Sequence, residues 1–465
     1  MKLTNCLAGL LTAITQLVNT NNYTLSEFED DFKIAKDAHI DAFALNMGLT
    51  DPNTAQSLES AFIAAKNVGF HLFFSFDYNG GYQGGKPWPK ETILEMADKY
   101  FKLDEYFKYA GQPLASTFEG TENADDWIEL KNKTDAFFIP DWSSVSPEEA
   151  LSLGGGVADG LFSWNAWPAG DQDMTDKSDA AFAWALKGKP YMMPVSPWFY
   201  TNLPGYDKNW VWRGDDLCFV QIISWNDYGE SHHIGPVRTN AMEAFEVGKA
   251  PFNYALDHPH DGWRHFLPYL IDSYKAAVAP SIKDEALMTW YRGSPALACK
   301  DGGTTVNTVT QDQKVLTAAQ VVSDKIFYSA LLTSGAEITV SVGGKTQKGN
   351  WTSTPDGGKG VYHGSVPFLG TGDVVITMTK YGTEIAKIDG RQIADECPSG
   401  MTNWNAWTGS TNALHVDDPS PSPTQTGNGP KSTASDHGSG ASNLSQSGLV
   451  YVVVALASLA VAGVV

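Results

Sequence analysis

The chain has 465 residues, too many for one ordinary domain and ample for a sizeable core. Its 53 acidic against 32 basic residues give a formal charge of -21, which argues against holding nucleic acid or an anionic membrane through net charge and leaves a neutral partner as the easier fit. Four cysteines, none in a CxxC or other metal-ligand spacing with histidine, exclude the common zinc and redox motifs, so neither a metal nor another cofactor is expected.

The amino-terminal stretch MKLTNCLAGLLTAITQLV carries Lys2, Cys6 and an interrupted apolar run. Residues 1–19 read either as a signal peptide or as a residual first strand. From 20 to 282, short apolar runs alternate with helical patterns, the signature of βα units around a parallel sheet. Strands are expected at HIDAFALNMG, GFHLFFSFDY, PLASTFEG, DAFFIPDW, GLFSWNAWP, PYMMPVSPWF and FVQIISWNDYGE. Helices such as SLESAFIAAKNVG, ETILEMADKYFKLDEYF, DAAFAWALKG and WRHFLPYLIDSYKAAV carry apolar residues at three- and four-residue spacing. Asn46, Asp77, Glu119, Asp141, Asn165, Ser196 and Asp227 all fall at or near strand ends. Such a ring of polar residues is what the top of a TIM-like (β/α)8 barrel presents. The first strand of that barrel is doubtful, because AITQLVNT, inside the presumed leader, is the only segment available for it.

Between 283 and 412 the pattern changes to short alternating strands, KIFYSALLTS, EITVSVGGK, GVYHGSVPF and DVVITMTKYG, with Gly-rich turns, as in an antiparallel β-sandwich. Cys299 and Cys397 bracket this region and are the expected disulfide, while Cys218 is expected to be a buried free thiol. Residues 413–448 are rich in Ser, Pro, Thr and Gly and read as a stalk. The uncharged tail 449–465 resembles a glycosylphosphatidylinositol attachment signal, with an ω site among Gly438, Ser439, Gly440, Ala441, Ser442 and Asn443. A secreted protein is expected, held at the cell surface or in a wall, touching membrane only through that lipid anchor. Sequons at Asn22, Asn132 and Asn350 agree with the secretory pathway. Nothing points to a partner protein, so a monomer is expected.

The stretch FVQIISWNDYGESHHIGP, residues 219–236, passes from a buried strand straight into two carboxylic acids and two histidines. Glycosidic bonds are cleaved by two carboxyl groups, one protonating the leaving oxygen and the other attacking the sugar carbon or activating water. Asp227 and Glu230 form such a pair, with Asp77 as a third acid and Glu119 and Asp141 as weaker ones. Taken alone, each acid fits a structural hydrogen-bond acceptor better than a catalytic group. The tryptophans nearby, Trp142, Trp164, Trp167, Trp198 and Trp225, offer flat faces that suit sugar rings or rim packing.

At this point the residues resemble a family. IDAFALN, FFSFDY, STFEG, DGLFSWNAWP, YMMPVSPWFYTNLPGYDKNWVWRGDDL, IISWNDYGESHHIGP and PHDGWRHFLPYLIDSYK are similar to the fungal α-1,3-glucanases, or mutanases, of glycoside hydrolase family 71. The resemblance runs over about residues 20 to 410 and includes WYRGSPALAC and GGTT of the second domain. It implies a TIM-like barrel joined to a β-sandwich, acting on α-1,3-glucan of fungal cell walls with inversion and without metal. Carried over by position, the essential acids are Asp227, Glu230 and Asp77. Glu230 is then expected to be the general acid, Asp227 the general base and Asp77 a stabiliser of the sugar or of the pair. Asn46, Tyr78, Glu119, Asp141, Asn226, Tyr228, the five tryptophans, His232 and His260 are expected to bind substrate, with His233 as a further hydrogen-bonding candidate. The chain departs from the pattern in its doubtful first strand and in the short crossover before Cys218. The alternative function that follows is a catalytically impaired surface protein that binds glucan.

Overall fold

The computed structural model describes residues 11–415 apart from 81–84, 169–171, 173, 213–220, 307–315 and 398. The first ten residues, Cys218, the chain beyond 415 with its expected stalk, ω site and apolar tail lie outside the described residues. Among the described residues no helix is long and apolar enough to cross a membrane.

The fold is mixed α/β. Thr12–Gln16 is a strand, paired in parallel with Ala42–Gly48 along its whole length and, through Ala13, with Gln221–Ile222 on its other edge. Leu11, Ala13, Ile14 and Leu17 are all buried. A strand at Thr12–Gln16 therefore stands beside Ala42–Gly48, in the place expected of a first strand. Its two backbone edges are satisfied by neighbours, as a buried strand requires.

The parallel order continues through His71–Asp77, Gln112–Phe118 and Phe137–Phe138. Isolated parallel bridges, Phe118 to Asp141 and Asp141 to Phe162, reach Leu161–Phe162, which pairs with Tyr191–Met192. Pro194–Val195 then pairs with Gln221–Ile222. Ala42–Gly48 is buried at every position, which explains why it reads as a continuous apolar run and not as an alternation.

Helices cover the outside of this sheet. Leu25–Asp37 starts with a capping box between Thr24 and Glu27 and buries Phe28, Phe32 and Ala35, the spacing that keeps one face on the sheet. Thr54–Val68 stops at Gly69, whose φ of 69° is the left-handed conformation that glycine adopts without a Cβ penalty. One connection differs from the βα pattern: residues 200–211, where a helix barely fits, form an antiparallel hairpin of Tyr200–Leu203 with Lys208–Val211.

The carboxyl-terminal half is antiparallel. One sheet runs Trp351–Ser353, Gly360–Pro367, Lys325–Leu332, Ala286–Arg292, Ala406–Asn412, and the other runs Lys345–Gly349, Glu337–Val342, Gly372–Lys380, Thr383–Ile393. Leu287, Tyr328 and Ala330 from the first share one apolar cluster with Val340, Ile376 and Met378 from the second. Glu337–Val342 alternates buried and partly exposed positions, the period-two pattern read from the sequence. Cys299 and Cys397 are bonded, with Cα atoms 6.3 Å apart.

Candidate active site

The register of the parallel sheet builds a polar layer at its carboxyl end. Gln16 is the partner of Asn46, Asn46 of Ser75, and Gly48 of Asp77. Side chains connect across these strands: Asn46 Nδ2 donates to Gln16 Oε1 at 3.0 Å and to Asp77 Oδ2 at 3.2 Å, while Ser75 Oγ donates to Asn46 Oδ1 at 2.9 Å. Asp77 also accepts the backbone N–H groups of Asn79, at 2.9 Å, and Gly80. Burial pushes its carboxyl above the ordinary range, and these hydrogen bonds offset part of that shift.

Beyond Gln221–Ile222 the backbone continues to pair with the first strand, Trp225 N–H donating to Ile14 O at 2.7 Å. The chain then turns back on itself. Ser224 N–H meets His232 O at 2.9 Å, Ile234 N–H meets Ser224 O at 3.0 Å, and Asp227 and Glu230 sit in the loop so enclosed. Glu230 N–H donates to Asp227 Oδ1 at 2.9 Å, and Asp227 N–H to Ser224 Oγ at 3.0 Å. His232 Nδ1 lies 2.9 Å from Ser224 Oγ and Nε2 lies 3.1 Å from Glu230 Oε2. With Ser224 Oγ–H donating to Nδ1, the other ring N–H donates to Glu230. Lys208 Nζ, from the 200–211 hairpin, pairs with Glu230 Oε1.

The two loop carboxyls are shifted in opposite directions. Asp227 and Glu230 each keep 16% side-chain exposure, so both reach a solvent-accessible surface from a largely buried position. Burial raises Asp227 above the usual carboxylate range; His232 and Lys208 pull it down while Glu230 pushes it up, and the balance stays upward. Burial also acts to raise Glu230, but Lys208 and His232 together outweigh it and hold Glu230 well below that range. Lys208 is raised by Glu230 first, against its own burial, and further by Asp227 and Asp77, so all three acids act on one ammonium. Asp227, Glu230 and His232 each place one ligand atom within 4.8 Å of the others, a donor set of cation-binding type. Both Glu230 oxygens are already taken by Lys208 and His232, so a cation would have to displace them.

The other expected residues divide sharply. Trp167 is half-buried, 5.3 Å from the His232 ring and 5.0 Å from Trp212, with its indole N–H on Trp198 O. Trp164 is half-buried beside Phe118. Most of the expected sugar contacts are instead engaged inside the fold. Trp225 is 1% exposed, donates to Asp31 of the Leu25–Asp37 helix and packs on Phe43, so it faces the helix layer. Asn226 is enclosed, its amide bonding the backbone of Gln16 in both directions. Tyr228 donates to Pro236 O, and Trp142 is buried against Phe138. Trp198 donates to Trp404 O, and His260 is fully buried between His233 O, Asn405 Oδ1 and Ala406 O. Both therefore join the two halves of the chain. Tyr78 is buried beside Gly120. His233 is enclosed and stacks on His260 at 4.0 Å. Glu119 and Asp141 form a second cluster, bonded to the Ser144 and Ser143 hydroxyls, and burial raises both.

Sequence reasoning missed Lys208, Gln16, Ser75 and Ser224. Lys208 lies 22 residues from Glu230, and no spacing rule links a hairpin residue to a loop acid.

Comparison with known proteins decides the family. Glycosyl hydrolase family 71 matches residues 11–420. The chain belongs to that family. It is 32% identical to a glucan endo-1,3-alpha-glucosidase of Schizosaccharomyces pombe over 84% of this chain and 92% of the relative. It is 33% identical to a mutanase of Penicillium rubens over 69% of this chain and 72% of that protein. An ascus wall endo-1,3-alpha-glucanase of Schizosaccharomyces pombe is 28% identical over 55% of this chain and 64% of its own length. Among solved structures, a GH99 endo-alpha-mannosidase of Bacteroides thetaiotaomicron aligns with a TM-score of 0.39 at 16% identity over 56% of this chain and 81% of its own, too distant to carry an argument. The family 71 match begins at residue 11, one residue before the first strand.

Proposed function

We propose that this protein is an endo-acting α-1,3-glucanase that hydrolyses the α-1,3-glucan of fungal cell walls. The observation that carries the reading is the loop 224–234, where two carboxyls of opposite electrostatic tendency share one histidine and one lysine at the carboxyl end of a parallel sheet. A glycosidase needs one carboxyl that holds a proton and one that does not, and environments that push two neighbouring acids apart identify them. Family membership supplies the substrate class. Of the two departures behind the impaired alternative, the first strand is present as Thr12–Gln16, paired on both edges, while residues 213–220 of the crossover before Cys218 lie outside the described residues.

The roles we propose reverse those expected from the sequence. Asp227, raised by burial, is the proton donor; Glu230, held ionised by Lys208 and His232, is the base; Asp77 orients the sugar or the pair from the adjoining polar layer. An inverting pair stands ~6.5–9.5 Å apart to admit a water, and a retaining pair ~5–5.5 Å. One oxygen of Asp227 lies within 4.8 Å of one of Glu230. Inversion, which family resemblance implies, then requires the pair to open around the sugar and water. Trp167, half-buried against His232, and Trp164, half-buried beside Phe118, are the proposed sugar platforms. We read the parallel pairings as a closed (β/α)8-type barrel over 20–282 completed by the strand at 12–16, and the two antiparallel sheets as a β-sandwich over 283–412. Secretion, a lipid anchor at the carboxyl end and a monomeric state complete the proposal.

The test is reducing-sugar release from insoluble α-1,3-glucan by the secreted protein beside an Asp227→Asn, Glu230→Gln double variant of equal folding. Activity confined to the parent supports the reading. A folded, inert parent that sediments with the glucan overturns it. The anomer of the first-formed product, read by NMR, decides the stereochemistry.

A further inference from the structure

The hairpin that carries Lys208 is not held by the amino-terminal half alone. Its strand Lys208–Val211 pairs on one edge with Tyr200–Leu203. Its other edge meets the GGTT segment, residues 302–305, of the carboxyl-terminal half. Thr305 N–H donates to Asn209 O at 3.3 Å, Val211 N–H donates to Thr305 O at 3.0 Å, and Trp210 bridges Thr305 in parallel. The Asn209 side chain clamps the same segment from both of its polar atoms: Nδ2 donates to Gly302 O at 2.9 Å, and Oδ1 accepts Thr304 Oγ–H at 2.8 Å.

The segment is itself fixed. Gly302 and Gly303 have φ of 67° and 75°, where a side chain is strained, and a Cβ on Gly302 would meet Met401 Sδ at 3.2 Å. Just upstream, Thr402 N–H donates to Lys300 O at 2.8 Å, and Cys299 is bonded to Cys397. Chain direction does the rest: Lys208 adjoins the clamped Asn209, and the opposite strand of the hairpin donates Tyr200 N–H to Glu230 O at 3.1 Å.

We propose that residues 302–305 of the carboxyl-terminal half, acting through Asn209, are positioning residues of the active site: they supply the outer-edge bridge and hydrogen bonds that hold Lys208 against Glu230. The antiparallel half is then part of the catalytic machinery's support and not only an attached module. The inference rests on Glu230 being a working carboxyl, as proposed above.

The experiment uses the full-length protein and soluble α-1,3-linked glucooligosaccharides, with kcat and KM measured across pH. Asn209→Ala and Thr304→Val are compared with Lys208→Met, Lys208→Arg, Glu230→Gln and, as a remote control, Lys348→Ala on the exposed Lys345–Gly349 strand. Slight misplacement of a group at a preorganised site costs up to ~10²-fold in rate, so Asn209→Ala is expected to lower kcat about tenfold with little change in KM. Its acid limb should move to higher pH, the same direction as in Lys208→Met. Lys208→Arg should restore most of the limb, and Asn209→Ala should add little in a Lys208→Met background, because groups that act through one another are not additive. A wild-type pH profile in Asn209→Ala, with kcat unchanged or lowered only in proportion to the folded fraction, overturns the brace. An inert Glu230→Gln beside that result leaves the site reading standing, whereas a fully active Glu230→Gln overturns both.

Discussion

Two clusters of acids lie at strand ends of the same sheet, and of these two only the Asp227–Glu230 cluster pairs with Lys208 and His232. Glu119 and Asp141 are bonded to serine hydroxyls, and burial raises both. Asp227 and Glu230 are also largely buried but are joined by Lys208 and His232, and their tendencies diverge. Carboxyls at strand ends are therefore not sufficient for a site. The counter-charge separates them, because burial alone raises a carboxyl whereas a neighbouring cation acts to lower it.

Breaking the second cluster's contrast with the first should give effects of falling size. Removing either working carboxyl is the largest: Glu230→Gln or Asp227→Asn should lower kcat by about 10²–10⁴-fold, the usual contribution of general acid or base catalysis, measured on soluble oligosaccharides with folding checked by circular dichroism. Lys208→Met comes next, with kcat down about tenfold or more and the acid limb displaced. The sign follows from the cause: Lys208 favours the ionised form of Glu230, so its loss raises the pH at which Glu230 gives up its proton. Trp167→Ala should raise KM about threefold to tenfold, corresponding to a lost aromatic contact of ~0.5–1.5 kcal/mol, with kcat little changed.

The smallest catalytic effect belongs to Asp141. Its folded carboxyl is raised by burial, so the native state holds its proton more tightly than the unfolded chain, and stability falls as pH climbs from the unfolded value through the folded one. Asp141→Asn removes that dependence. Thermal melts should show the variant about 1 kcal/mol more stable than the parent near neutral pH, with the gap closing in acid and activity nearly unchanged. An equal loss of activity in Asp141→Asn and Glu230→Gln would erase the contrast between the clusters.

How much was legible in the sequence depends on range. The alternation of apolar runs and amphipathic stretches located the parallel strands, because each element signals its own period. The DYGE loop was legible for the same reason, with both acids three residues apart in one turn. Burial direction was not. Trp225 and Asp227 are two residues apart, yet Trp225 turns to Asp31 in the helix layer while Asp227 turns to Glu230 within the loop. Sequence also treated Asn226, Tyr228, Trp198 and His260 as exposed polar or aromatic groups, when their hydrogen bonds are spent on Gln16, Pro236, Trp404 and Asn405. Lys208 was out of reach because its role comes from a hairpin whose outer edge is completed from residues 302–305.

The account's central claim is that Asp227 carries the proton and Glu230 the charge. Chemical rescue reads this directly. An α-1,3-linked oligosaccharide with an activated aryl leaving group is supplied to Asp227→Ala and to Glu230→Ala, each with and without azide. The account predicts that Asp227→Ala retains turnover on this substrate, since the leaving group no longer needs a proton, and that azide restores glycosyl azide formation only in Glu230→Ala. Azide rescue confined to Asp227→Ala, with Glu230→Ala active on the activated substrate alone, would contradict it.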